Sequence, residues 1–181
     1  MTARRDDPVE QQVIEALTRA GVEFDVLDCD PAFADTAAFC ERYGIAPDVS
    51  ANAIVVASKK EPKQFVTCVV LATTRLDVNG VVRKRMGVNK ASFASPEDTM
   101  ALTGMMIGGV TPFALPPGLP VWVDARVVRR ERVVVGGGSR SMKVFVDSRV
   151  FELLDGFEVV EGLANEPPTT SPTLTQENPP S

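Results

Sequence analysis

Apolar and polar positions change their spacing several times along the chain, and each change predicts an element. Over residues 8–20, which include "VEQQVIEALTRA", Val13, Ile14, Leu17 and Ala20 share one helical face and Gly21 follows as a stop. "VEFDVLDC" alternates and predicts a strand, and "DTAAFCERYG" predicts a short helix closed by Gly44. "AIVVAS" and "QFVTCVVLAT" are β-branched runs, with the charged "KKEPK" as a hairpin connection between them. Asn79-Gly80 is a tight-turn signal. Helical spacing nevertheless runs through Val78, Val81, Val82 and Met86, with Asp77 as a cap and Gly87 as the close, so the spacing predicts a helix. "SPEDTMALTG" carries fuller helix punctuation: Ser95 as N-cap, Pro96 first, acids in the opening turn, Gly104 beyond the end.

"PVWVDARVV", "ERVVVGGG" and "SMKVFVDS" predict three more strands, and "RVFELLDGF" a closing helix or turn. From Ala164 onward the chain is rich in proline and threonine and nearly devoid of apolar residues. Such a segment has too little to bury to offset its ordering, so residues 164–181 are expected to be a disordered tail behind a domain spanning 1–163. No internal repeat is present. The order helix, strand, helix, hairpin, two helices, glycine loop, three strands predicts an α+β fold around a mixed or antiparallel sheet. A doubly wound fold would need strict alternation, which is missing.

Composition narrows the chemistry. The 181 residues are 44% hydrophobic and 24% charged, as in one globular domain. No run of about 18 uncharged apolar residues predicts a membrane span, and "MTARRDDPVEQQ" does not read as a signal peptide. Cys29, Cys40 and Cys68 are odd in number and lack paired metal spacing, so they read as reduced, buried small residues in a cytoplasmic protein. The chain has no histidine. That excludes Ser-His-Asp and Cys-His catalysis, histidine metal sites and histidine bases, and no metal or cofactor is expected. Net charge is −5, distributed as −7 over residues 1–50, +8 over 51–150 and −6 over 151–181. A basic middle between acidic ends either steers a polyanion to one face or is a set of solvated strand ends.

Two glycine clusters are the candidate sites. "GMMIGGVTPFALPPG", residues 104–118, places Gly108 and Gly109 in an apolar loop, and "VGGGSRS" at 135–141 follows a strand. Neither has the spacing of a P-loop or a dinucleotide turn. Each alone reads as a turn; together they suggest a pocket walled by bare backbone, whose N–H groups bind a carbonyl or phosphate oxygen. Asp124, at the end of "PVWVD", is a candidate carboxylate or a strand-end residue. Lys59, Lys60 and Lys63 read most simply as hairpin-tip charges, and Trp122 and Phe113 as core.

From about Val13 to Leu163 the chain resembles the YbaK/ProX family, free-standing relatives of the editing domain of bacterial prolyl-tRNA synthetases. The matching runs come in family order: "ANAIVVA", "LDVNGVVRKRMG", "KASFASPEDTMALTGMMIGGVTPF", "PVWVDARV" and "VVVGGGSRSMKVFV". The most specific link is Thr103-Gly104 to Gly108-Gly109-Val110-Thr111-Pro112-Phe113. The resemblance implies a mixed sheet with surrounding helices and metal-independent hydrolysis of the ester on a misacylated tRNA. Catalysis in the family leans on backbone amides, a positioned water and the substrate's ribose hydroxyl.

Carried onto this chain, the resemblance makes Gly108 and Gly109 carbonyl or oxyanion donors and Asn52 the substrate anchor, where relatives commonly carry lysine. Thr111 and Pro112 belong to the substrate loop, Gly137, Gly138 and Ser139 to the opposite wall, Lys143 to the substrate site, and Asp124 is a water-orienting or structural residue. Charge alone assigns Arg83, Lys84, Arg85, Arg129, Arg130 and Arg140 to tRNA phosphates. The implied partner is aminoacyl-tRNA, with a synthetase as a further candidate and no membrane. Two other readings stay open: a module that binds an RNA end or aminoacyl compound without turnover, and an interaction domain that recruits a synthetase, tethered by its tail.

Overall fold

Asp7 opens the first helix: its Oδ1 accepts from the amides of Val9 (2.8 Å) and Glu10 (3.1 Å), satisfying two donors that the helix cannot. In this computed structural model, which describes residues 5–167, that helix is α1 (Pro8–Ala20), closed by Gly21 in the left-handed region. β1 (Phe24–Asp28) and α2 (Thr36–Tyr43) follow, then the hairpin β2 (Ala51–Ser58) and β3 (Phe65–Leu71). After β4 (Arg75–Leu76) the chain winds as a wide π-turn over Val78–Val82 and tightens into α3 (Arg83–Met86). Asp77 caps that turn through the amides of Gly80 and Val81, so the helical spacing outweighs the Asn79-Gly80 signal.

β5 (Ala91–Phe93), α4 (Pro96–Thr103) and β6 (Val121–Asp124) come next, followed by α5 (Ala125–Val128), β7 (Arg132–Gly136) and β8 (Met142–Asp147). The chain ends in α6 (Val150–Leu153), β9 (Phe157–Val160) and β10 (Ala164–Asn165). Five strands form a mixed sheet in the order β5-β2-β3-β6-β9, antiparallel except where β6 pairs parallel with β3 and β9. An antiparallel sheet, β1-β8-β7, and the pair β10-β4 complete the α+β fold.

β3 explains its own apolar run. Val69 and Leu71 face a core shared with Val13 and Leu17 of α1, Val135 of β7 and Val144 of β8. Val66, Cys68 and Val70 face the other way, onto Val82, Trp122 and Leu163. A strand covered on both faces loses its alternation, and each buried aliphatic side chain contributes roughly 1.5–3 kcal/mol.

Three expectations are corrected. "PVWVDARVV" is not one strand: Asp124 ends β6, its Oδ1 accepts from the Arg126 amide at 2.9 Å, and α5 begins there. β9 completes the large sheet where no strand was expected. The tail does not start at Ala164, which is buried and paired with Leu76; the remainder of the expected tail from residue 168 lies outside the described residues. Among the described residues, no helix is long and apolar enough to cross a membrane.

Candidate functional site

The loop after α4 is held from beneath by two cations. Lys143, on β8, donates from Nζ to the carbonyls of Ala34 (2.7 Å) and Gly108 (2.8 Å). Arg140, in the β7–β8 turn, donates to Ile107 O (2.7 Å) and twice to Pro31 O (3.2 and 2.9 Å), and pairs with Asp35 at 3.1 Å. The segment 31–35, the loop at 107–108 and the β7–β8 turn are thereby tied together. Gly108 has φ +88°, a conformation in which other residues are strained.

Lys143 is 6% exposed. Burial pulls its ammonium below the usual lysine value, while nearby Cys29 and Asp35 offset part of that fall. Burial in turn raises the Cys29 thiol, against the pull of Lys143. The Phe39 ring lies 5.6 Å from Nζ and adds a cation–π contact.

Above these residues opens a pocket of about 370 Å³, lined by Asn52, Ala53, Thr36, Gly108, Val110 and Lys143 among others. Its floor includes backbone. β5 pairs with β2 only from Val56 to Ser58, so residues 51–54 have no β5 partner. Ala94 N donates to Val55 O at 2.9 Å, which shows that Val55 turns its polar groups away from β3. In an antiparallel ladder that orientation repeats every second residue, so the N–H and C=O of Ala53 point into the pocket. The amides of Gly108 and Val110 make no hydrogen bond among the described residues. Asn52 Oδ1 accepts from Thr36 Oγ1, which fixes the amide's orientation at the pocket wall. Phe93 and Ile107 stand at the mouth, 58% and 50% exposed.

Of the residues singled out in the sequence, Asn52, Gly108 and Lys143 converge here. Others do not. Gly109 is bare for packing: a Cβ there would lie 2.6 Å from Ser139 C and 2.7 Å from its O. Its own N–H is spent on Met106 O and its carbonyl accepts from Gly138 N, both at 2.9 Å, so it is not a free donor. A Cβ on Gly137 would meet Met142 O at 2.7 Å, and one on Gly138 would meet Val9. Ser139 bonds the buried Glu10 of α1. Gly137, Gly138 and Ser139 thus form the packed back of the site; the residue of that segment that lines the pocket is Gly136, itself buried.

Thr111 is fully buried and accepts from Phe113 N, and Pro112 lines a different groove beside α1. Asp124, 1% exposed, is a structural residue that receives Arg126 and the Ala164 amide. The cations are scattered. Arg140 is a clamp of the loop, Arg85 pairs with Glu158 and covers Trp122, and Arg129 pairs with Glu161; Arg83 bonds Asn79 O, while Lys84 and Arg130 carry no ion pair among the described residues. The contributions of Thr36, Phe93 and the β2 edge were not read from sequence. For the edge the signal lay in β5, which Ser95-Pro96 leaves too short to cover its neighbour.

The profile of the aminoacyl-tRNA editing domain matches residues 30–153. The chain belongs to this family. Solved structures agree on the fold of this editing domain. It superposes on the hypothetical protein APE2540 with TM-score 0.74 and 22% identity, covering 85% of this chain and 99% of that one. A candidate trans-editing enzyme for prolyl-tRNA synthetase gives TM-score 0.73 and 22% identity over 90% and 100% of the two chains. A larger candidate signal-transduction protein from Marinobacter aquaeolei VT8 gives 0.59 and 17%, with 88% of this chain covering 31% of that one.

Proposed function

We propose that this editing domain hydrolyses the ester between an amino acid and the terminal ribose of a tRNA, acting in trans on misacylated tRNA. The observation that carries the reading is the pocket itself. Gly108 and Val110, whose backbone amides have no hydrogen-bond partner among the described residues, line it together with the β2 edge, in a space sized for a small ligand. Such amides suit the negative charge that develops on an ester carbonyl under attack, because they are oriented before the reaction begins. Water adds its oxygen to the acyl carbon and the bond to the ribose oxygen breaks. The remaining water proton passes to that ribose oxygen through the neighbouring hydroxyl, releasing amino acid and a free tRNA end. No side-chain base is required, in keeping with a chain that lacks histidine.

Asn52 serves as the polar anchor. With Oδ1 occupied by Thr36, its Nδ2 is the group left to donate to the substrate. The anchor is neutral where relatives carry a charge, and the fixed charge of the site comes instead from Lys143 beneath the loop.

A panel of mischarged tRNAs incubated with the pure protein tests the proposal. Ester loss from one or a few species, above the spontaneous rate, is expected. Tight binding without ester loss would replace it with the non-catalytic binding module, and neither binding nor loss would leave an interaction domain.

A further inference from the structure

The pocket opens along the β5–β2 edge of the large sheet. The arginines at 85 and 129 are paired with Glu158 and Glu161 at the opposite edge, on and just after β9. Four strand spacings of about 4.8 Å, roughly 19 Å, separate β5 from β9. A nucleic acid whose end enters the pocket therefore meets other cations first.

Those cations line a groove of about 630 Å³ between the β2–β3 hairpin and the segment joining α3 to β5, with Lys59, Lys60, Lys63 and Lys90 on its walls. The Lys59 amide donates to Lys90 O at 3.1 Å, which locks the two walls together. Lys63 is neutralised by Asp98 at 2.8 Å, and Glu61 is the acid within the groove. Lys59, Lys60 and Lys90 are exposed and make no ion pair or side-chain hydrogen bond among the described residues, whereas the exposed Arg85, Arg129 and Arg149 are each paired with a carboxylate. Solvated cations gathered in a concave surface, unneutralised by the protein, suit a polyanion. From Lys90 to Phe93 at the pocket mouth is three residues of strand, about 10 Å at ~3.3 Å each, so the groove lies within reach of the first few phosphates behind an esterified end.

We infer that the Lys59–Lys60–Lys90 groove is the RNA-backbone subsite of this protein, receiving phosphates of the strand whose 3′ end occupies the pocket. The inference rests on the proposed function for the identity of the polyanion. It replaces Arg85, Arg129 and Arg140 as phosphate contacts with lysines of the hairpin and of β5's approach. Phosphate contacts of this kind fix position and supply affinity without reading sequence.

The test measures binding of a non-acylated RNA hairpin with a single-stranded CCA end to the full-length protein, by fluorescence anisotropy over a series of salt concentrations. Replacing Lys59, Lys60 and Lys90 together by Ala should weaken binding at least about tenfold at low salt. It should also flatten the plot of log affinity against log salt by about 2 to 3 units, near 0.7–0.9 for each phosphate released. An Arg129→Ala protein should bind as the wild type does. Melting temperatures of both variants confirm folding, since all these side chains are on the surface. Unchanged affinity and slope in the lysine variant, loss in the arginine variant alone, or no hairpin binding by the wild type would each overturn the assignment. The two claims separate cleanly. Lysine-dependent binding by a protein that hydrolyses no aminoacyl ester keeps the groove and removes the function; ester hydrolysis with lysine-independent binding does the reverse.

Discussion

Lys143 carries its ammonium into an interior that offers two carbonyls, an aromatic ring and, among the described residues, no carboxylate at ion-pair distance. Its ionisation favours the unfolded chain, because burial holds the folded value below the usual 10.5. Between those two values the unfolded state binds more protons, so stability should rise with pH toward 10.5. Lys143→Met removes that titration. Denaturant unfolding at several pH values should show the wild type gaining stability relative to Lys143→Met as pH rises through the interval; parallel curves would mean the lysine is solvated. Gly109 makes a complementary point about glycine. Its missing side chain is required by the backbone of Ser139, so Gly109→Ala should lower stability by about 1–3 kcal/mol, read from the urea midpoint. An unchanged midpoint would show that the two glycine loops do not pack as described. Sequence marked Gly108 and Gly109 as a pair, yet only Gly108 belongs to the pocket wall. Two adjacent glycines look alike until it is known which one faces another chain segment.

At the scale of elements, sequence was readable where local rules act. Asp77 and Ser95 cap their helices with their own side chains, and Gly21, Gly44, Gly87 and Gly104 close helices in the left-handed region. Elements that depend on distant partners were not readable. β9 is four residues with no clear period, and it exists because β6 offers a parallel edge more than thirty positions earlier. α5 begins because Asp124 turns its carboxylate to the Arg126 amide and, across the fold, to Ala164. Ala164 is the element-scale test. Ending the chain after Leu163 removes the amide that donates to Asp124 at 2.9 Å and the carbonyl that Arg126 reaches at 2.8 Å. That truncation should cost about 1–3 kcal/mol and lower the melting temperature, since it leaves a buried carboxylate short of a donor. Ending after Pro167 keeps both contacts and should leave the temperature nearly unchanged. Equal melting in the two truncations would return the domain boundary to Leu163.

For the molecule as a whole, the two edges of the large sheet differ in charge and in shape. At the β9 edge, arginines and glutamates neutralise one another; at the β5–β2 edge lie the pocket, its exposed Phe93 and Ile107, and the free lysines. The excess of positive charge in residues 51–150 was visible in the sequence, but its split between a neutralised and an open edge was not, because strand order is a tertiary property. In the proposed reaction the Lys143-held loop stabilises an ester under attack. The most direct measurement is single-turnover deacylation of one responsive mischarged tRNA by the wild type and by Lys143→Met, both verified as folded. Losing an oriented oxyanion donor costs on the order of 10²–10³ in rate in well-studied hydrolases. Hydrolysis by the wild type and a fall approaching that size in the variant, at saturating protein, are expected. Equal rates in the two proteins would remove the Lys143-held loop from the reaction.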